Sequence, residues 1–143
     1  MKADAKTETA VMAVVDKFNE TYARRDIDGL LALFAPDSDL VLFGTGADEK
    51  RVGLAELKFQ AERDWAQTDS ISFELGWHSV SAAGSVAWLA AEGMGQAKFD
   101  GQEMSFPFRF TAVLEHRGDK WLFTQGHLSV PAPGQAEGDS IPT

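Results

Sequence analysis

The stretch QEMSFPFRFTAVLEHRGDKWLFTQGHLSV, residues 102–130, decides the fold. It contains two segments rich in aromatic and branched residues, 102–116 and 120–130, which are separated by the turn residues Gly118 and Asp119. Such segments are typical of β-strands, and a connection this short forces the two strands to pair antiparallel. The stretch therefore predicts a long β-hairpin.

Two earlier segments, 70–81 and 85–99, have the same strand character. Asp100-Gly101, between the second of them and residue 102, is a strong two-residue hairpin signal. None of the connections is long enough to contain a crossover helix. The second half of the chain is therefore predicted to be a four-stranded antiparallel meander.

Upstream of the strands, apolar residues recur with the period of an α-helix. The buried face of a first helix is marked by Val11, Val14, Val15, Phe18 and Tyr22. A second, short helix begins near Asp26 or Asp28 and is ended by Pro36, while a third lies within residues 52–67. Between these two helices, residues 39–46 read as a short strand that runs into a glycine-rich turn.

Together these elements predict an α+β fold in which three N-terminal helices pack on a strongly curved antiparallel β-sheet. A curved sheet covered by helices forms a cone with an internal pocket. We expect one domain at residues 7–131, a flexible N-terminus at 1–6 and a disordered tail at 132–143.

The composition excludes several classes of partner. The chain has 13 Lys and Arg against 22 Asp and Glu, a formal net charge of −9, which disfavours nucleic acid and anionic membranes. It contains no cysteine, so disulfides and thiolate metal sites are excluded. No apolar run approaches the roughly 20 residues of a membrane helix, and no secretory signal is recognisable. We therefore expect a cytoplasmic protein.

Two stretches resemble a known family. RRDIDGLLALFAPDSDLVLFGTG (24–46) looks like the helix–helix–strand opening of the NTF2-like superfamily, and of its SnoaL-like branch in particular. RFTAVLEHRGDKWLFTQGHLSVP (109–131) is similar to the paired final strands of that branch. The resemblance covers residues 8–131 and implies the cone fold and a homodimer formed through the sheet. It does not choose a function, because the superfamily contains isomerases, cyclases, dehydratases, epoxide hydrolases and non-catalytic binders.

The ketosteroid isomerase branch can be compared residue by residue. The resemblance places that branch's helical tyrosine at Phe18 and its catalytic aspartate at Leu42. The strand that would hold a second, protonated aspartate has Arg109 and Thr111 but no carboxylate. A carbanion mechanism needs a base and an oxyanion donor, so isomerisation by that route is not expected. Tyr22, one turn beyond Phe18, is a candidate displaced donor, although its spacing also fits the core.

Polar side chains of equal parity on three strands are candidates for one site. If the three faces coincide, they converge with an aromatic side chain of the third helix, giving Trp88, Glu92, Arg109, Thr111, His127, Ser129 and Trp65. In the pocket reading, Arg109 holds an anion, His127 and Ser129 position it, and Trp88 and Trp65 form apolar walls. The alternatives are that this face meets a second copy of the chain or meets solvent. For Trp65, ordinary helix core is the alternative.

The first functional hypothesis is a domain that binds a small, partly apolar ligand in the cone, anionic if Arg109 pairs with it. The second is an isomerase, cyclase or dehydratase in which His127 or Glu92 transfers the proton. The third is a non-catalytic dimerisation or protein-interaction module. No ligand spacing typical of a metal site occurs, and no motif for a cofactor was found.

Overall fold

The computed structural model describes all 143 residues. Its helices are α1 (Ala5–Ala23), α2 (Ile27–Leu31) and α3 (Leu54–Gln67). Aspartates cap the first two, because the Asp4 carboxylate accepts from the Thr7 amide at 2.8 Å and that of Asp26 accepts from the Gly29 amide at 3.0 Å. No helix combines the length and the hydrophobicity that a membrane span requires.

Six strands form one sheet. They are β1 (Val41–Phe43), β2 (Lys50–Val52), β3 (Ser70–Ala83), β4 (Val86–Phe99), β5 (Gln102–Arg117) and β6 (Lys120–Ser129). Their order is β2-β1-β6-β5-β4-β3, and every pair is antiparallel except β1 with β6. The predicted α+β class, three helices on a curved and mostly antiparallel sheet, is confirmed, with the sheet open rather than closed.

The prediction missed β2 and the parallel pairing of β1 with β6. β2 has only three residues, Lys50 to Val52, and its sequence KRV is too short to show a period. The parallel pair joins segments that lie more than 80 positions apart in the chain, as between Leu42 and Gly126. No local pattern marks such a contact.

Two irregularities in register bend the long strands. In β3 the register shifts between Leu75 and His78, and in β5–β6 it shifts between Val113 and Leu114. Opposite Leu75 stands Gly93, where a methyl group would lie 2.1 Å from the Glu74 carbonyl oxygen. Bulges increase local twist and bending, so these sites account for the curvature of the sheet.

The second shift decides which way β6 presents its side chains. Val113 pairs with Gln125 but Leu114 pairs with Phe123, so Thr124 is the extra residue. Its hydroxyl donates to the Val113 carbonyl at 3.1 Å. Because of this extra residue, Phe123 points into the core while Gln125 is exposed on the other side. A strict two-residue alternation along this strand predicts that Phe123, Gln125, His127 and Ser129 share one face, and the extra residue makes that prediction wrong.

The core lies between the helices and the face of the sheet that they cover, here called the inner face. Phe123 is at its centre, with 1% of its surface exposed. Its ring centroid lies 5.1 Å from that of Phe34, 5.9 Å from that of Phe18 and 6.2 Å from that of Phe110. Aromatic contacts of this kind add to the apolar burial that holds the helices on the sheet.

The two ends of the chain differ. The Ala3 amide donates to the Val80 carbonyl at 3.1 Å and the Ala82 amide donates to that of Met1 at 2.9 Å, so residues 1–3 extend the edge of β3. α1 begins at Ala5, within the segment expected to be flexible. Residues 132–143 form no helix or strand and are largely exposed. The flexibility of the first segment and the disorder of the tail stay predictions.

Candidate functional site

A cavity of about 200 Å³ lies inside the cone, between the inner face of the sheet and helices α1 and α3. Most of its wall is apolar, since 15 of the 24 lining residues are hydrophobic. Six phenylalanines contribute, namely Phe18, Phe43, Phe73, Phe106, Phe108 and Phe110. Gly126 of β6 faces the same space, because a methyl group there would lie 3.5 Å from Leu42 and 3.6 Å from Phe110. The volume is below the range of about 300–1,000 Å³ usual for drug-sized ligands, which limits the occupant to a small molecule.

Five polar residues of the wall are joined by hydrogen bonds, and we call them the polar cluster: Tyr22, Glu49, Arg51, Gln60 and Asp64. The Tyr22 hydroxyl donates to Asp64 Oδ2 at 2.7 Å. The Gln60 amide donates to Asp64 Oδ1 at 2.7 Å and to Glu49 Oε1 at 2.8 Å. Arg51 Nε donates to Gln60 Oε1 at 2.8 Å. Gln60 therefore connects the cationic and the anionic members of the polar cluster.

Helix geometry brings α3 into the polar cluster. Its buried residues are Leu57, Ala61 and Trp65, which recur at the helical period. Gln60 and Asp64 are four residues apart and each immediately precedes a buried residue, so they flank the apolar stripe. Glu49 and Arg51 come from the turn before β2 and from β2 itself, and Tyr22 comes from α1.

Electrostatics keep the Tyr22 hydroxyl protonated. Burial in the cavity wall raises the pKa of Tyr22, and the negative charges of Asp64 and Glu49 raise it further. The hydrogen bond to Asp64 acts in the same direction, because the neutral hydroxyl is its donor. Tyr22 is therefore a hydrogen-bond donor over the whole physiological range of pH.

Arg51 is the member of the polar cluster whose hydrogen-bond donors are least used. Only 14% of its side chain is exposed, and its Nη2 atom is buried without a hydrogen-bond partner. The Asp48 carboxylate lies 3.8 Å from that atom, beyond hydrogen-bonding distance. The guanidinium carbon lies 5.1 Å from the centre of the Phe59 ring, a cation–π contact. Arg51 thus lines the cavity with only one of its guanidinium nitrogens, Nε, engaged in a hydrogen bond.

The strand residues predicted for the site do come together, but on the outer face of the sheet, away from the helices. Glu92 pairs with Arg109, Arg109 pairs with Ser129, and Thr111 pairs with His127. The side chains of Glu92, Arg109 and Thr111 are exposed, and none of them lines the cavity. The prediction that these residues line the cavity is wrong, because the alternate residues of β5, Phe108 and Phe110, take the inner positions.

The remaining predicted residues are placed differently again. Trp88 is on the outer face with 37% of its surface exposed, so it forms no cavity wall. Trp65 is 8% exposed and its indole N–H donates to the Tyr22 carbonyl at 3.1 Å, which makes it helix core rather than an apolar wall of the cavity. Ser129 lies outside the cavity wall. His127 touches the rim of the cavity, but its side chain is exposed and its ring lies 5.3 Å from that of Phe43.

Two of the positions compared with the ketosteroid isomerases lie in the wall of the cavity. Phe18 and Leu42 both line the cavity, at the places where the resemblance puts a tyrosine and an aspartate. The polar groups of this cavity come instead from α1, α3 and the β1–β2 hairpin. Sequence reasoning missed Glu49, Arg51, Gln60 and Asp64. The one available signal was the position of Gln60 and Asp64 beside the apolar stripe of α3.

Comparisons with known proteins agree on the fold. A family model described as the SnoaL-like domain matches residues 11–133. An NTF2-like superfamily protein from Salmonella enterica superposes with a TM-score of 0.84 at 14% identity, covering 97% of this chain and 100% of its own. No curated protein matches the sequence significantly.

Two further solved structures, both from Novosphingobium aromaticivorans, carry provisional enzyme names. One is named an aromatic ring hydroxylase and has a TM-score of 0.82 at 18% identity, covering 92% of this chain and 94% of its own. The other is named a scytalone dehydratase and has a TM-score of 0.79 at 11% identity, covering 88% and 85%. At these identities the likeness establishes the fold alone.

The raised pKa of Tyr22 can be measured directly, because Tyr22 is the only tyrosine in the chain. A free tyrosine ionises near pH ~10, so the urea-unfolded protein is expected to develop tyrosinate absorbance around that pH. The folded protein should not, because burial and Asp64 favour the neutral hydroxyl. The folded state then holds a proton that the unfolded state has lost, so the free energy of unfolding falls as pH rises above about 10.

Two variants complete this test, with circular dichroism confirming that the protein stays folded. Asp64→Asn should lower the pKa of Tyr22 by removing the neighbouring charge. Tyr22→Phe should remove the absorbance change and this part of the loss of stability above pH ~10. A folded-state midpoint near that of free tyrosine would contradict the environment described for Tyr22.

Proposed function

The chain is a member of the SnoaL-like domain family, and on that premise we propose that its cone binds one small, largely apolar molecule. The observation that supports this most strongly is the cavity itself. It is walled mainly by aromatic and aliphatic side chains and carries one localised polar cluster. Apolar ligand surface that leaves water for such a wall gains about 25 cal/mol per Å², while the polar groups fix its orientation.

The enzyme hypothesis built on His127 or Glu92 is not favoured by this arrangement. Glu92 lies on the outer face and is exposed, so it does not reach a ligand in the cone. His127 is exposed at the rim, and its cross-strand neighbours on that face are Phe43 and Thr111, neither of which supplies a carboxylate to orient its ring. Arg109 is also outside the cavity, which removes the reason for expecting an anionic ligand.

Naphthalene is a suitable first probe, because it is apolar, rigid and small enough for the cavity. We expect it to bind with one-to-one stoichiometry and an affinity between micromolar and submillimolar, measured by isothermal titration calorimetry. Gly126→Val should weaken binding at least tenfold, because the new side chain projects between Leu42 and Phe110 into the cavity.

Gly76→Val is the matched control, since Gly76 lies outside the cavity and a methyl group there meets only the Glu92 carbonyl at 3.5 Å. It should leave the affinity for naphthalene unchanged. Native mass spectrometry of the freshly purified protein adds a search for a copurified occupant of the cavity. Equal binding of naphthalene to wild type and Gly126→Val would contradict the proposed location.

We further propose that the outer face of the sheet pairs with a second copy of the chain. Trp88 and Met94 are 37% and 43% exposed there, and Phe43, which also lines the cavity, is 42% exposed beside His127. Exposed apolar side chains grouped on one face are typical of interaction surfaces. A two-fold axis pairs a surface with itself, so a face that carries both Glu92 and Arg109 can be complementary in charge.

The predicted cytoplasmic location stays a prediction.

Light scattering coupled to size-exclusion chromatography tests this pairing. The protein is expected to elute at twice the 15.6 kDa mass of the chain. Trp88→Glu should shift it to the mass of a monomer, because it places a charge in the apolar part of the face. Ile141→Glu, at an equally apolar but remote residue that is 71% exposed, should not. A wild-type monomer at micromolar concentration would overturn the proposal.

A further inference from the structure

The chemistry of the ligand's polar group follows from what the polar cluster leaves unused. Of the Arg51 guanidinium nitrogens, only Nε makes a hydrogen bond, to Gln60, and Nη2 is buried without a partner. A buried donor without a partner is costly, and more so when it is charged. A ligand that reaches this end of the cavity therefore gains by placing an acceptor on Arg51.

The carboxylates of the polar cluster have acceptor capacity to spare. Asp64 accepts one hydrogen bond on each oxygen, from Gln60 and from Tyr22. Glu49 accepts from Gln60 and from the Gly46 amide. An ionised carboxylate offers about four acceptor positions, so each of the two can take a further donor. The same ligand group therefore gains by donating a hydrogen as well.

The charges of the polar cluster disfavour both anionic and cationic ligand groups. Two carboxylates and one guanidinium line this end of the cavity, a formal charge of −1. A ligand carboxylate would satisfy Arg51 but would face Glu49 and Asp64 with no hydrogen to donate. A ligand ammonium would satisfy the carboxylates, but it has no acceptor for Arg51. Each charged group thus leaves one side of the polar cluster unmatched.

We propose that the polar cluster recognises a neutral group that both donates and accepts a hydrogen bond, a hydroxyl or a primary amide, on an otherwise apolar ligand. The group accepts from the Arg51 guanidinium and donates to the carboxylate of Asp64 or Glu49. This inference rests on the proposed function, since it assigns the ligand class of the same cavity. Arg109 and Glu92, which stand opposite each other on the outer face, take no part in it.

The test uses five probes that share one ring system: naphthalene, 2-naphthol, 2-naphthamide, 2-naphthoate and 2-naphthylmethylammonium. Affinities for the wild-type protein are measured by calorimetry at pH 7. Naphthol and naphthamide are expected to bind about tenfold or more tightly than naphthalene, because a hydrogen bond to a charged group contributes that much. Naphthoate and the ammonium probe are expected to bind less tightly than naphthalene.

Variants locate the effect. Arg51→Met removes the donor but keeps a chain of similar length, and it should bring the naphthol-to-naphthalene affinity ratio towards one. Asp64→Asn should strengthen the binding of naphthoate relative to naphthalene, because it removes one of the two negative charges that face the ligand carboxylate. Arg24→Met is the matched control, because Arg24 is exposed at the end of α1 and pairs with Glu20. It should leave all five affinities unchanged.

The outcomes separate the two proposals. If naphthalene binds but naphthoate or the ammonium probe binds more tightly than naphthol, the neutral-group inference is overturned and the proposed function stands. If none of the five binds, the proposed function is overturned and the inference falls with it. The wild-type series alone decides the matter should Arg51→Met fail to fold.

Discussion

One extra residue in β6 determines the character of both faces of the sheet. Thr124 has no partner in β5, and its hydroxyl bonds to the Val113 carbonyl at 3.1 Å. Strand residues alternate between faces, so an inserted residue exchanges the faces of everything that follows it. Phe123 therefore completes the core, whereas His127 turns outward and Gly126 turns inward. Gly126 therefore lines the cavity at a point where a larger side chain would project between Leu42 and Phe110.

The hydrogen-bonding side chains of the polar cluster consequently come from elements other than the long strands. The inner face of β5 supplies Phe106, Phe108 and Phe110, and β3 supplies Phe73, all of them apolar. The hydrogen-bonding groups arrive from α1, α3 and the β1–β2 hairpin, which meet at one side of the cone. This division makes the sheet a wall of fixed shape, while the helix and hairpin residues determine which polar group is accepted. It also frees the outer face for contact with another chain.

Much of the fold followed from the sequence, whereas the site did not. The strand periodicity of residues 102–130 and the turn at Asp100-Gly101 were sufficient for the meander. The assignment of β6 side chains to the two faces failed beyond Thr124, because the alternation of residues along a strand does not reveal a bulge. The polar cluster was invisible for a different reason. Tyr22 and Asp64 are 42 positions apart, and in AERDWAQ an aspartate beside an arginine looks like any solvated helix residue.

The central claim is that the ligand enters the cone rather than resting on the outer face. Nuclear Overhauser effects between 2-naphthol and the methyl groups of the protein test it most directly. The account predicts contacts from the naphthol ring protons to Leu42, Ile71 and Leu75, whose side chains line the cavity. Contacts to Met94 and Val113, which lie on the outer face opposite Pro107 and Trp88, would contradict it.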